Sequence, residues 1–224
     1  MNILYFGRKS DKYSLNLYNF LCKKNNKVKV IWSDGKKSKI DFSVNKKYDL
    51  IICFRSSYIL KKKHINLARI AAINFHPGTP KYRGIGCVNL ALLNKDNQYG
   101  STAHLINQKI DKGKIIDVKY FKILQNDNVN KVLNKTHKIM YRQFKDLINL
   151  IIKDPKIIKS LIYLNRKKKW SNKLMTRKQL NKLYEINYNI KNLDLKNTIR
   201  ALNYKNFKLK FMFNGIRFKQ IQQN

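Results

Sequence analysis

Two polar side chains that could do chemistry stand at the end of an apolar run in the first half of the chain. Asn74 and His76 follow the stretch Ile70 to Ile73, and Pro77-Gly78 ends any regular element after them. Strand geometry places Asn74 and His76 on the same side. An Asn amide can donate to a developing oxyanion, and a His can transfer a proton near neutral pH. An ordinary strand end, with both side chains bound to the backbone, would give the same pattern.

A second segment, Ile110-Asp111-Lys112-Gly113, places one acidic residue directly before a glycine turn. A carboxylate there could hold a histidine or act as a base. Between the two segments lies the loop Pro80-Lys81-Tyr82-Arg83-Gly84. The three segments, in this order and at this spacing, resemble the catalytic domain shared by glycinamide-ribonucleotide, methionyl-tRNA and amino-sugar formyltransferases. The resemblance is strong over residues 45–150 and weak in the C-terminal part.

Members of this family transfer a formyl group from 10-formyltetrahydrofolate to an amine. The resemblance therefore implies this co-substrate and a tetrahedral intermediate that carries an oxyanion. It assigns Asn74 to the formyl oxygen, His76 to oxyanion stabilisation and proton transfer, and Asp111 to orientation and base catalysis. His104 is expected behind these residues or in the core. The remaining histidines are expected to be incidental: His64 and His137.

The resemblance also implies where the substrates bind. The pterin of the folate should lie after the third strand, mainly against backbone groups, at Phe54, Arg55, Ser56, Tyr58 and Leu60. The acceptor should lie against the loop that follows the histidine, which Pro77 and Gly78 would keep rigid. The other contacts expected with the acceptor are Lys81, Tyr82, Arg83 and Gly84. Lys112 would flank the same site.

The acceptor itself is predicted to be the amine of a nucleotide-linked amino sugar. Several features favour this acceptor. They are the residue sequence of the histidine loop, the short part after Pro155, an Ile-Arg-Ala segment at 199–201, an Asn-Gly pair at 214–215 and the dispersed charge. Two alternatives stay open. One is a methionyl-tRNA formyltransferase-like enzyme, and the other is a non-enzymatic protein that binds nucleic acid or another polyanion on the same scaffold.

The composition indicates a globular chain with an extreme positive charge. Of 224 residues, 43% are hydrophobic and 12% aromatic, which is ample material for a core. Lys and Arg number 49 against 12 Asp and Glu, a formal net charge of +37. Such a charge indicates a polyanionic partner. An A/T-rich genome would also produce such a charge, because Lys, Asn and Ile have A/T-rich codons and the frequencies of all three are high. The lysines are, in addition, scattered along the whole chain.

The cysteines indicate a reducing compartment. Cys22, Cys53 and Cys87 show no CxxC spacing and cannot all pair. The first residues do not form a signal peptide, and no apolar run is long enough to span a membrane. We therefore expect a cytoplasmic protein. No Cys, His and carboxylate set has metal-ligand spacing, so no metal is expected. The oligomeric state is open, a dimer included.

The order of elements predicts an α/β fold, a Rossmann-like, mostly parallel sheet with flanking helices, the formyltransferase fold. Strands are predicted at 2–6, 28–32, 48–54 and 70–75, with a helix from Ser57 to about Arg69 and a long amphipathic helix at 127–153. Ser33-Asp34-Gly35 should close the second strand, and strands at 101–106 and 115–123 should form a hairpin-like excursion around Asp111. Ligands should lie at the carboxyl ends of the parallel strands.

The chain is expected to divide into a catalytic domain, 1–154, and a small C-terminal extension, 155–224. Asp154-Pro155 ends the long helix between them. In the extension, residues 199–202 are predicted as a turn and residues 211–218 as a hairpin with Asn214-Gly215 at its tip. The basic run at 166–169, next to Trp170, is either a phosphate-contacting patch or a solvated turn.

Overall fold

A mixed sheet forms the centre of the protein. The computed structural model describes residues 1–24, 26–33, 46–187, 191–204, 207, 209–214 and 216–219, and within them the central sheet has six strands in the order β2-β1-β3-β4-β6-β7. These strands are β1 (Asn2–Gly7), β2 (Lys27–Trp32), β3 (Tyr48–Phe54), β4 (Ala68–His76), β6 (Gln98–Leu105) and β7 (Ile115–Lys122). The first four in chain order are parallel, and β6 and β7 are antiparallel. The predicted α/β fold is confirmed.

Helices cover the sheet, and a smaller set of elements follows it. The helices are α1 (Lys12–Lys23), α2 (Lys62–Ile65), α3 (Cys87–Leu93), α4 (Val129–Lys153), α5 (Ile157–Leu164), α6 (Arg177–Lys182) and α7 (Asn192–Leu202). Short strands complete the described part of the chain: β5 (Arg83–Gly84), β8 (Leu174–Met175), β9 (Glu185–Asn187), β10 (Lys210–Phe213) and β11 (Ile216–Lys219). Within the described ranges, no helix combines the length and apolarity needed to cross a membrane.

The long helix α4 holds one face of the sheet. Its predicted apolar stripe is buried, and Phe144 lies among Tyr5, Phe54 and Phe75 with ring centroids 6.2, 5.7 and 4.8 Å away. Asn128 caps the helix by accepting the N–H of Lys131. Removing a buried Phe side chain of this kind costs about 3–5 kcal/mol. The packing fixes β3 and β4 against each other at the end where Asn74 and His76 lie.

The residues after Pro155 pack onto the catalytic part. Strand β8 pairs with β5, and α7 packs against α3, where Asn89 donates to the carbonyl of Ala201 at 2.7 Å. Leu180, Leu202 and further residues of the extension share one apolar cluster with Tyr82, Val88 and Leu92. The division into a domain at 1–154 and an extension at 155–224 stays a prediction.

Several local predictions were wrong. The helix expected from Ser57 is confined to Lys62–Ile65, because Ser57 binds the end of β2 instead: its N–H donates to Ser33 Oγ and its Oγ to the Ser33 carbonyl. Strands β6 and β7 do form the predicted hairpin around Asp111, but this hairpin is part of the central sheet rather than an excursion from it, because β6 pairs directly with β4. Residues 199–202 end helix α7 rather than forming a turn.

The remaining local predictions are settled only in part. Strands β10 and β11 form the predicted antiparallel hairpin. Asp34, Gly35 and Gly215, however, lie outside the described residues. All three cysteines are free, with Cys22 exposed and the other two buried.

Candidate active site

The register of the central sheet places Asn74 beside His104. Strand β4 pairs with β6 so that Asn74 lies opposite His104 and His76 opposite Thr102. His104 Nδ1 donates to the carbonyl of Leu105 at 2.8 Å, because a carbonyl can only accept. The other ring nitrogen, Nε2, lies 3.1 Å from the Asn74 amide nitrogen. His104 belongs to the constellation directly.

Asp111 joins the two histidines. It lies in the turn between β6 and β7, with a positive φ of 44°. Its Oδ2 lies 3.3 Å from His76 Nδ1 and accepts the Gly84 N–H at 2.9 Å, while its Oδ1 lies 3.5 Å from His104 Nε2. Burial raises the pKa of Asp111, but the attraction of His76, the contact with His104 and the Gly84 N–H outweigh it and lower this pKa to about 2. The carboxylate is thus ionised at neutral pH.

His76 is buried, with 3% of its side chain exposed. Its Nε2 donates to the carbonyl of Tyr82 at 3.0 Å, and its Nδ1 faces Asp111. Both acceptors are satisfied only when both ring nitrogens carry a proton. Burial lowers the pKa of His76 below its usual value, because it outweighs the opposing attraction of the Asp111 carboxylate. The contact between Nδ1 and the carboxylate is where a proton could pass between the two side chains.

Arg83 fixes the turn that carries Asp111. Its guanidinium donates to the carbonyls of Ile110 and Asp111 at 2.7 and 2.8 Å, and to those of Ser171 and Asn172 at 3.1 and 3.4 Å. The side chain is buried. A positioning role fits this geometry better than the predicted contact with the acceptor, because the guanidinium nitrogens already serve backbone carbonyls.

Trp170, which follows the basic run at 166–169, completes the site and was not predicted as a site residue. Its ring packs edge-on against His104 and His76, with centroids 5.0 and 5.6 Å apart. Its Nε1 donates to the carbonyl of Gly113 at 2.7 Å. One side chain therefore touches both histidines and the turn after Asp111. The only signal in the sequence was an aromatic residue after a basic run.

The other residues expected near the acceptor mostly support the loop. The carbonyls of Pro77 and Gly78 accept from Tyr99 and Thr102 at 2.8 and 2.7 Å. A Cβ on Gly78 would lie 2.6 Å from His76 Nε2, so this position needs glycine. The remaining side chains contact one another or the chain: Lys81 binds Asp96, Tyr82 binds Asp96 through its hydroxyl, and Gly84 N–H binds Asp111.

The segment expected to hold the folate begins and ends with a buried side chain and is irregular in between. Phe54 and Leu60 are buried in apolar clusters on opposite faces of the sheet. Arg55, with a positive φ of 53°, forms an ion pair with Asp11. Tyr58 donates from its hydroxyl to the Trp32 carbonyl, and Ser56 Oγ accepts the Tyr58 N–H. Residues 56–61 are not helical, which leaves backbone contacts as the prediction that stands.

Metal ligation finds no support in this site. Within the described part of the chain, no group of three or more His, Cys, Asp and Glu side chains is arranged to hold a metal ion. The arrangement is an amide, two imidazoles and one carboxylate at the end of a sheet strand. Such a set can stabilise an oxyanion and move a proton.

Comparison with known proteins identifies the family. A family model described as formyl transferase matches residues 24–148, more than half of the chain. The chain therefore belongs to the formyl transferase family. The match extends further toward the N-terminus than the segment at 45–150 on which the resemblance was based.

Individual relatives agree with this family. A methionyl-tRNA formyltransferase from Hydrogenobaculum sp. (strain Y04AAS1) is 31% identical over 106 residues, 47% of this chain and 35% of that protein. The chain spans between a quarter and about half of the length of the first curated relatives it matches.

Two solved structures share the fold. A 4-N formyltransferase from Francisella tularensis has a TM-score of 0.74 at 21% identity, covering 99% of this chain and 97% of that one. An N-formyltransferase from Helicobacter canadensis, in complex with folinic acid and dTDP-3-aminofucose, has a TM-score of 0.70 at 20% identity, covering 97% and 86%. At such identities the likeness shows the fold.

Proposed function

We propose that the chain transfers a formyl group from 10-formyltetrahydrofolate to the primary amine of a nucleotide-linked amino sugar. The observation that carries this proposal is the convergence of Asn74, His76, His104 and Asp111 at the carboxyl end of β4. Asn74 and Asp111 are the partly exposed members of this set, whereas both histidines are buried. Substrates would therefore meet Asn74 and Asp111, with the histidines behind them.

In the proposed reaction each residue acts on one atom. As the amine nitrogen bonds to the formyl carbon, the carbonyl oxygen gains negative charge and the Asn74 amide donates to it. Asp111 accepts the proton that the amine nitrogen loses. The bond from the formyl carbon to the donor nitrogen then breaks, and Asp111 returns the proton to that nitrogen. His76 stabilises the carboxylate form of Asp111 before the first transfer and after the second.

Two observations support the amino-sugar acceptor. The Helicobacter enzyme, crystallised with a formyl-folate analogue and a nucleotide-linked amino sugar, shares its fold with nearly all of this chain. Lys112, which directly follows Asp111, is exposed beside the site. A diphosphate-linked sugar needs only a few such groups, because two phosphates carry little charge compared with an RNA.

Methionyl-tRNA is the second candidate acceptor. The curated relatives reported above favour it, and so does the net charge of +37. RNA binding would release many counterions, so transfer to a tRNA would fall steeply as salt rises. The two acceptors are distinguished by offering each with the same formyl donor across a salt series. Transfer to methionyl-tRNA alone would overturn the amino-sugar assignment and leave the formyl-transfer chemistry in place.

Donor binding separates an enzyme from a nucleic-acid-binding protein on the same scaffold. We expect the chain to bind 5-formyltetrahydrofolate, a stable analogue of the donor, more tightly than the unreduced folate. Calorimetric titration of both ligands is the test. The absence of any preference for the reduced, formylated ligand would contradict the proposal.

A further inference from the structure

A basic groove lies beside the candidate active site. It has a volume of about 660 Å³ and lies between the turn at 112–115, the end of α5 and the segment at 165–172. Six cationic side chains line it, together with Tyr163 and Trp170. They are Lys112, Lys114, Lys159, Arg166, Lys168 and Lys169. We call this cavity the Lys112–Lys169 groove.

The charge of this groove is of one sign. No Asp or Glu lines it, and among the described residues none of the six cations forms an ion pair. Other cavities differ: the one at Lys81 includes Asp96, and the one at Lys138, Arg142 and Lys145 includes Asp146. General lysine enrichment explains many cations everywhere, but not their concentration around one concavity without a carboxylate.

Neutral groups hold several of these cations in place. Lys168 donates to Asn165 Oδ1 at 2.7 Å, and the Arg166 guanidinium lies 3.9 Å from the centre of the Tyr163 ring. Such partners orient the cations without neutralising them. Six like charges around one cavity repel each other, and an anion bound between them would relieve this repulsion.

The groove and the reacting groups share a wall. Lys112 follows Asp111 directly, and Trp170 lines the groove while its ring contacts His104. An anion bound in the groove therefore lies one side chain away from the proposed catalytic residues.

We propose that the Lys112–Lys169 groove binds the diphosphate of a nucleoside diphosphate, the part of the acceptor that does not react. This inference rests on the proposed function, because it concerns the acceptor of that reaction. The volume is within the range of small-ligand sites, roughly 300–1,000 Å³. Lysine and arginine form strong charge-assisted hydrogen bonds with phosphate oxygens, and Trp170 and Tyr163 add aromatic surface at the same wall.

Equilibrium binding of thymidine diphosphate and of inorganic pyrophosphate tests the groove without folate or formyl transfer. In calorimetry at fixed salt, we expect Lys159→Gln/Arg166→Gln to weaken thymidine diphosphate binding at least about tenfold, since it removes two phosphate donors. Lys138→Gln/Arg142→Gln removes the same charge from another cavity and should stay within about twofold of the unmodified chain. Lys169→Gln provides a second variant should the first fail to fold.

The proposal fails if both double variants weaken binding equally, because net charge alone would then explain it. It also fails if the unmodified chain binds a single-stranded RNA oligonucleotide but neither thymidine diphosphate nor pyrophosphate. A chain that binds thymidine diphosphate in this groove yet transfers no formyl group would contradict the proposed function and leave the groove assignment standing. Failure of each proposal is thus visible separately.

Discussion

The ring of Trp170 packs edge-on against the imidazole of His104, with the two centroids 5.0 Å apart. This contact joins a residue of the C-terminal extension to a residue of the central sheet. Because Trp170 also donates to the Gly113 carbonyl, it holds the histidine and the turn after Asp111 in one arrangement. The part of the chain after Pro155 therefore contributes to the candidate site.

Substitution of Trp170 should separate its two contacts. Trp170→Phe keeps an aromatic edge but loses the hydrogen bond, which contributes about 1 kcal/mol, so we expect a rate loss of up to about tenfold. Trp170→Ala loses both contacts and should cost more. Both effects should fall on kcat rather than KM for the folate. NMR of the His104 ring protons should show the loss of the indole ring current in both variants. Unchanged kcat in Trp170→Ala would contradict a positioning role.

His76 and Asp111 should act as one unit. We expect His76→Ala and Asp111→Asn each to lower the rate of formyl transfer by about 100-fold, a typical loss for an acid–base group. Because the two side chains share a proton, the double variant should be little worse than either single one. Rates of all three variants at saturating donor measure the coupling. Multiplicative losses would show that the residues act independently.

Asp111 should also make stability depend on acid pH. Its pKa is lowered from 3.8 to about 2, so the stabilisation is present above pH 3.8 and is lost as the pH falls toward 2. The shift corresponds to a loss on the order of 2 kcal/mol in the free energy of unfolding. Urea unfolding between pH 5 and pH 2 should show this loss in the unmodified chain and not in Asp111→Asn. Parallel pH dependence in both chains would contradict the low pKa.

Gly78 should be required by the ring of His76. A Cβ at this position would lie 2.6 Å from His76 Nε2, so Gly78→Ala must displace the ring or the loop. We expect a loss of about 1–3 kcal/mol in stability, as for other overpacked sites. In a His76→Asn background, where the side chain is smaller, the same substitution should cost less. Equal costs in the two backgrounds would show that the clash is not with His76.

The sequence predicts the local parts of this site well. Asn74, His76 and Asp111 lie in short segments whose order and spacing carry the family pattern, and the structure brings them together. His104 was expected behind these residues or in the core, and it lies buried beside Asn74, a place that depends on the antiparallel register of β4 and β6. Trp170 was not predicted as a site residue, because its contacts join segments far apart in the chain.

Other differences between the predictions and the structure also arise from contacts between segments far apart in the chain. Arg83 was expected to face the acceptor. Its guanidinium instead donates to the carbonyls of Ile110 and Ser171, and no local sequence pattern predicts contacts with residues so far away in the chain. Ser57 was expected to cap a helix, but its N–H donates to Ser33 Oγ instead. Phe54 was expected at the folate as the last residue of a strand and Leu60 as part of a helix, but both side chains are buried in apolar clusters. Tertiary contacts, rather than propensity, decided each of these positions.

Direct transfer of a labelled formyl group tests the central claim. The chain would be mixed with 10-formyltetrahydrofolate carrying ¹³C in the formyl group and with a thymidine-diphosphate-linked amino sugar, and the label followed by NMR. We predict that the label moves to the sugar amine, and that Asn74→Ala and Asp111→Asn slow this movement by about 100-fold while still binding 5-formyltetrahydrofolate. Label that stays on the folate with every amine offered, or moves at an unchanged rate in Asp111→Asn, would contradict the account.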